Sequence, residues 1–178
     1  MTLDSLISKE YRKQLEGEHK DRYWGGTGRQ HASEILEIAK KYKCFDVLDY
    51  GSSNHKDCLK RHFHRNYPGE LLFYEYDPAV SSKSAMPDPA HMVVCTDVLE
   101  HVEPELLDNV LQHIDSCMLK CGFLVISNIP AFSVLPDGRN AHLIQESKEW
   151  WKEKLGEFFV LQQMWWTKNE TRAMVTKQ

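Results

Sequence analysis

Four polar residues in this sequence follow directly on short apolar runs: Asp49 in Val47-Leu48-Asp49-Tyr50-Gly51, Asp77 after Leu71 to Tyr76, Asp97 after Met92 to Thr96, and Asn128 after Phe123 to Ser127. If each run is a strand of a parallel sheet, these residues gather in the crevice beyond the strand ends, where such sheets bind ligands. A carboxylate accepts hydrogen bonds only, so acids in that place suit an ammonium group or a pair of hydroxyls. Two histidines stand beside the same crevice: His101 in Glu100-His101, and His142 in the Asp-Gly-Arg-Asn-Ala-His loop after the fourth run. A neutral imidazole in either place can take a proton from an acceptor hydroxyl or amine. Nine histidines also raise the question of a metal. His62 and His64 are only two apart and no Cys-x-x-Cys occurs, so the spacing predicts no metal site.

The positioning elements follow from hydrophobic period. From Ser33, read as an N-cap, Ile35, Leu36, Ala39 and Tyr42 fall on one helical face. The run 45–50 is β-prone and breaks at Gly51, and a helix-like segment covers about 57–63. Runs 71–76 and 92–96 read as buried parallel strands. Pro104 opens a helix to about Lys120, with Leu106, Leu107, Val110, Leu111, Ile114 and Met118 in one stripe. Gly122 closes the connection to a fourth strand at 123–127. A turn-rich loop, a helix near 147–155, and strands at 158–165 and 172–176 complete the chain. Strands alternating with helices predict an α/β, doubly wound, mostly parallel sheet with helices on both faces and an antiparallel C-terminal pair.

With 178 residues, the chain has the length of one domain, expected to span 1–178 with a cap or lid segment at 1–32 and a core at 33–178. The segment 1–30 is polar and ends in Tyr23-Trp24-Gly25-Gly26-Thr27-Gly28, which cannot form a regular element. The net charge of −4 weakens any reading in which the surface grips nucleic acid or an anionic membrane. No apolar run is long enough to cross a bilayer and the first residues lack a signal-peptide core, so a cytoplasmic protein is expected. Five irregularly spaced cysteines are read as reduced thiols.

The residues Val47-Leu48-Asp49-Tyr50-Gly51, the acid Asp77, and above all Val93-Val94-Cys95-Thr96-Asp97-Val98-Leu99-Glu100-His101-Val102 resemble the class I S-adenosylmethionine-dependent methyltransferases. The likeness runs from about 33 to 176 and is nearest to small bacterial and phage members. It implies a Rossmann-like core, S-adenosylmethionine as cofactor and S-adenosylhomocysteine as product. It also implies a cofactor site: Asp49, Tyr50, Gly51 and Ser53 beside the amino-acid part, Asp77 and Pro78 at the ribose, Ala85 and Met86 at the adenine, and Asp97 and Val98 beneath the methionine. His142 and His101 become the candidate catalytic residues.

The family usually places further glycines after the first, whereas this chain reads Gly51-Ser52-Ser53-Asn54-His55. That departure keeps open a non-catalytic, methyltransferase-like binding module, in which the loop has lost its ligand. A nucleotide-cofactor oxidoreductase ranks third, because a dinucleotide needs Gly-x-Gly-x-x-Gly and this loop supplies one of those glycines. No Pro-Cys pair and no Asp-Pro-Pro-Tyr-like run is present, which disfavours the standard DNA-base classes. The expected partner is a small-molecule acceptor, covered by the N-terminal segment and the 131–146 loop. Trp150, Trp151, Trp165 and Trp166 are read as core residues, as an aromatic acceptor pocket, or as the seal of a homodimer.

Overall fold

The apolar runs align as predicted into one sheet. A computed structural model of the chain describes residues 2–21, 26–56 and 58–178; Tyr23, Trp24 and Gly25 of the glycine-rich run, and Asp57 at the start of the helix expected near 57–63, lie outside the described residues. Its elements are α1 (Lys9–Asp21), α2 (Ala32–Lys41), β1 (Asp46–Tyr50), α3 (Leu59–Asn66), β2 (Leu72–Tyr76), β3 (Ala90–Thr96), α4 (Leu107–Cys117), β4 (Met118–Ser127), α5 (Lys148–Gly156), β5 (Phe159–Trp166) and β6 (Glu170–Lys177). The six strands run in the order β2-β1-β3-β4-β6-β5. β1 pairs in parallel with both β2 and β3, and β3 in parallel with β4. β6 lies antiparallel to both β4 and β5. The chain steps outward from β1 to β2 and then back across β1 to β3, so the strand order reverses beside β1. Such a reversal opens a crevice at the strand ends.

Alternation along the strands sends side chains to two cores. Leu48, Val93, Cys95, Leu124 and Ile126 pack with α4 and α5 on one face. Val47, Phe73, Met92, Val94, Phe123 and Val125 pack with α2 and α3 on the other. In α4, Val110, Leu111 and Ile114 are buried, each contributing roughly 1.5–3 kcal/mol relative to exposure. A third, smaller cluster joins Ile7 and Tyr11 of the N-terminal segment to Leu135 and Ala141 of the 129–142 loop. All five cysteines are buried and free.

Several boundaries differ from the sequence reading for local reasons. Ser33 lies inside α2, whose N-cap position is His31, because a 3-10 turn at Thr27–His31 already leads the chain into the helix. α3 starts at Leu59, capped by the extended Cys58. The helix expected from Pro104 divides into a 3-10 turn at Pro104–Leu106 and α4, and it ends at Cys117 because Met118 is already extended. Gly122 therefore lies within β4 and closes no turn. A Cβ there would stand 2.9 Å from Val175 Cγ2, so its lack of a side chain lets β6 approach. β2 is an edge strand, which leaves Leu72 and Tyr74 exposed where a fully buried strand was expected. α1, from a segment read only as a polar cap, buries Tyr11. Among the described residues no helix is long and apolar enough to cross a membrane.

Candidate functional site

β1 and β2 deliver the two acids. Asp49, the penultimate residue of β1, is buried, and burial first, then the charge of Glu75, push its carboxyl up to about 7 against the opposing pull of Lys83. Asp77 follows β2 directly. Its Oδ2 accepts the Ser53 N–H and its Oδ1 the Ala79 N–H, each at 2.9 Å. The turn between these acids begins at Gly51 with φ +81°, where a Cβ would stand 2.3 Å from Val98 Cγ2. Only glycine lets the β1 turn and the β3 turn approach so closely. Ser53 adopts φ +50° in the same turn, and its Oγ accepts the His55 N–H at 3.1 Å. Lys83 Nζ donates to the Ser53 carbonyl and, at 2.8 Å, to Glu75 Oε1.

β3 is followed by another left-handed residue, Asp97, at φ +53°. The chain then makes a 3-10 turn at Leu99–His101, which carries Glu100 inward and His101 toward the loop after β4. Glu100 is fully buried; its Oε1 accepts the Ser127 N–H at 2.8 Å, and Oε2 has no hydrogen-bond partner. Burial, reinforced by Asp97, pushes its carboxyl up to about 8. His101 Nδ1 lies 2.8 Å from the Ala141 carbonyl and His142 Nδ1 lies 2.5 Å from the Ile129 carbonyl. A carbonyl oxygen only accepts, so each Nδ1 carries the hydrogen and the neutral ring holds its lone pair on Nε2. The two rings meet edge to face at 4.7 Å between centroids.

These residues surround one cavity of about 440 Å³, a size suited to small ligands. Asp49, Tyr50, Gly51, Ser53, Asp77, Pro78, Asp97, Val98, His101 and His142 all line it. Its apolar wall comes from Leu6, Ile7, Tyr11 and Leu15 on one side and from Ala131 and Phe132 on the other. Tyr11 Oη donates to the His101 carbonyl at 2.9 Å and the Ser8 N–H to Glu103 Oε2 at 2.8 Å, which fixes the N-terminal segment over the cavity.

Tyr50 lines the cavity, and its hydroxyl bonds His113 Nδ1 in the core at 2.8 Å. Two expectations need correction. Ala85 and Met86 are exposed and stand outside the cavity wall. The 3-10 turn at Ser81–Lys83 folds back on Asp77, whose N–H donates to the Lys83 carbonyl, and directs the following residues outward. Asn128 accepts the Thr171 hydroxyl at 2.8 Å and fastens the end of β4 to β6 outside the cavity. None of the four tryptophans lines the cavity: Trp151 is buried in the core and Trp166 is half-exposed on β5.

The architecture has many solved counterparts. It superposes on 1,6-didemethyltoxoflavin-N1-methyltransferase of Burkholderia thailandensis, bound to 1,6-didemethyltoxoflavin and S-adenosylhomocysteine, with a TM-score of 0.64 at 14% identity over 95% of this chain and 89% of that one. The fold is that of the class I methyltransferases. The same methyltransferase fold relates the chain to magnesium protoporphyrin IX methyltransferase of Synechocystis PCC 6803 with bound S-adenosylhomocysteine, at TM-score 0.53 and 13% identity over 85% of this chain and 80% of that one. Mitomycin 7-O-methyltransferase gives a TM-score of 0.57 at 12% identity over 83% of this chain and 54% of that one. No family model and no curated protein sequence matches the chain.

Sequence reading missed the burial of Glu100 behind this cavity and, although it placed the N-terminal segment over the acceptor, it did not name the apolar residues of that segment that form the wall. A signal for the first was present: an acid directly before a strand-end histidine, with a second histidine in the facing loop. The second left only Leu6, Ile7, Tyr11 and Leu15, too few apolar residues among charged neighbours to stand out.

Proposed function

We propose that the chain is an S-adenosylmethionine-dependent methyltransferase acting on a small molecule with an apolar body. The observation that carries this reading is the pair of buried acids, Asp49 and Asp77, at adjacent strand ends, opening on one cavity beside the Gly51 turn. The donor set fits the cofactor. Asp49 accepts the ammonium of the amino-acid part, and Gly51 leaves room for it. Asp77 has a lone pair on each oxygen beyond those used by Ser53 and Ala79, enough for two ribose hydroxyls. Ser53 and Pro78 border the same region, and Asp97 and Val98 form the floor.

When bound, the cofactor supplies a methyl group on a sulfonium. The chain's part is then to hold an acceptor in line with that methyl, which needs position more than acid–base help. Leu6, Ile7, Tyr11 and Leu15 exclude water from the acceptor's apolar body, while His101 and His142 face its reacting end. The N-terminal segment and the 129–142 loop thereby act as its cover.

Calorimetric titration of the full chain with S-adenosylmethionine and S-adenosylhomocysteine tests this reading. One site per chain is expected for each, weakened at least tenfold in Asp49→Asn and in Asp77→Asn. Absence of binding to either ligand overturns it and leaves a methyltransferase-like module without cofactor.

A further inference from the structure

On the acceptor side of the cavity the structure holds a set of groups that methyl transfer by positioning alone does not require. Among the described residues, Glu100, His101 and His142 form the one group of three potential metal ligands, with a ligand atom of each within 4.8 Å of the others. We propose that these three side chains bind a divalent first-row transition-metal ion, whose open coordination positions face the cavity and receive an oxygen of the acceptor.

Three features support a built site. Each histidine is fixed through Nδ1 by a backbone carbonyl, that of Ala141 or Ile129, the outer contact that sets the tautomer and aims Nε2 in metal-binding histidines. The Glu100 carboxylate is oriented the same way: Oε1 takes the Ser127 N–H, and Oε2 is buried with no partner. A buried, unpartnered carboxylate oxygen is costly unless a cation or donor reaches it. Finally, His101 and His142 reach the cavity from different loops, so the set closes around a point rather than along one helix.

Ligand type selects the ion. Two imidazoles with one carboxylate suit manganese, iron, cobalt or zinc, whereas magnesium and calcium prefer oxygen donors. Ligand atoms about 2.0–2.2 Å from an ion stand roughly 3–3.5 Å apart, so binding draws these three groups inward by small side-chain rotations. An acceptor hydroxyl bound to the ion is more acidic than in water. Its proton passes to solvent, and its oxygen then forms the bond to the methyl carbon as the carbon–sulfur pair stays on sulfur. This placement of the acceptor rests on the methyltransferase reading; the metal site itself does not.

The test uses the full chain without a histidine tag, stripped with chelator and titrated with Co²⁺. One ion per chain is expected, with the visible absorption of nitrogen–oxygen ligation. His142→Ala, in an exposed-side loop, and the conservative Glu100→Gln should each weaken binding at least about tenfold, while the thermal transition of His142→Ala shows that it is folded. His62→Ala with His64→Ala should leave the site intact, and Mg²⁺ should bind at least tenfold more weakly than Co²⁺. Sub-stoichiometric binding, binding unaffected by His142→Ala, or loss on changing His62 and His64 overturns the proposal. S-adenosylhomocysteine affinity, measured on the same metal-free chain, separates failure of this site from failure of the methyltransferase reading.

Discussion

Asp77 Oδ2 accepts the backbone N–H of Ser53 at 2.9 Å, so the acid that ends β2 also fixes the turn that follows β1. This one bond explains how a loop with a single glycine keeps a shape that further glycines usually allow. Ser53 is held at φ +50° by Asp77 from one side, by Lys83 on its carbonyl from another, and by its own hydroxyl on the His55 N–H.

Asp77→Ala should therefore act on both binding and stability. It removes the proposed ribose contact and leaves the Ser53 and Ala79 N–H groups without their acceptor, at about 1–3 kcal/mol for each that stays buried. Calorimetry should show S-adenosylhomocysteine affinity lowered at least tenfold, and thermal unfolding a lower Tm. Unchanged affinity would remove Asp77 from the cofactor site.

Ser53→Gly should keep the turn and tighten S-adenosylhomocysteine binding by up to about fivefold, since a left-handed L-residue costs about 1–2 kcal/mol. Ser53→Val, β-branched in the same conformation, should weaken it. Changing His55 to Gly as well should tighten less than Ser53→Gly alone, because His55 packs against Gly26, where a Cβ would stand 2.8 Å from its Nδ1. Tighter binding by the Val variant than by the Gly variant would show that the loop is not limited by strain.

Protons report on Asp49. With its carboxyl pushed up to about 7, the group is largely protonated at mildly acidic pH before ligand arrives. An ammonium beside it favours the ionised form. Binding of S-adenosylhomocysteine should thus release part of a proton near about pH 6.5, and affinity should rise with pH through about 7 and then level off. Calorimetry in two buffers of different ionisation enthalpy measures the release. Its persistence in Asp49→Asn would assign it to another group.

Tyr11→Phe should loosen the cavity's cover without disturbing the cofactor side. The lost bond to the His101 carbonyl is worth about 1 kcal/mol, so amide exchange in α1 should accelerate roughly fivefold while S-adenosylhomocysteine affinity stays the same. Exchange rates in α1 equal to those of the unaltered chain would show that packing against Leu135 and Ala141 alone holds the helix.

The core strands were legible because burial makes their sequences apolar, and their order placed Asp49, Asp77 and Asp97 around one opening. What the sequence hid was of two kinds. Met118 to Lys120 read as the end of a helix because Met118 extends the stripe of α4, yet the backbone is already extended there and Met118 pairs with Ala90 of β3. Glu100 read as a motif letter: the histidine beside it was a hint, but the 3-10 turn that carries its side chain into the interior leaves no periodic signal. His101 and His142 could each be placed by topology, but their ring contact is a tertiary fact.

The N-terminal segment's bonds to the site have a temporal consequence. Ser5, Ser8 and Tyr11 bond to Asn109, Glu103 and His101, across separations of 104, 95 and 90 residues. Tyr11 and Ile7 also pack on Leu135 and Ala141. During synthesis these residues emerge about 90–100 residues before their docking surface exists. Contacts this distant close late and slowly. In refolding, secondary structure should therefore recover before the cavity is walled, and an unwalled intermediate would show its apolar lining to solvent.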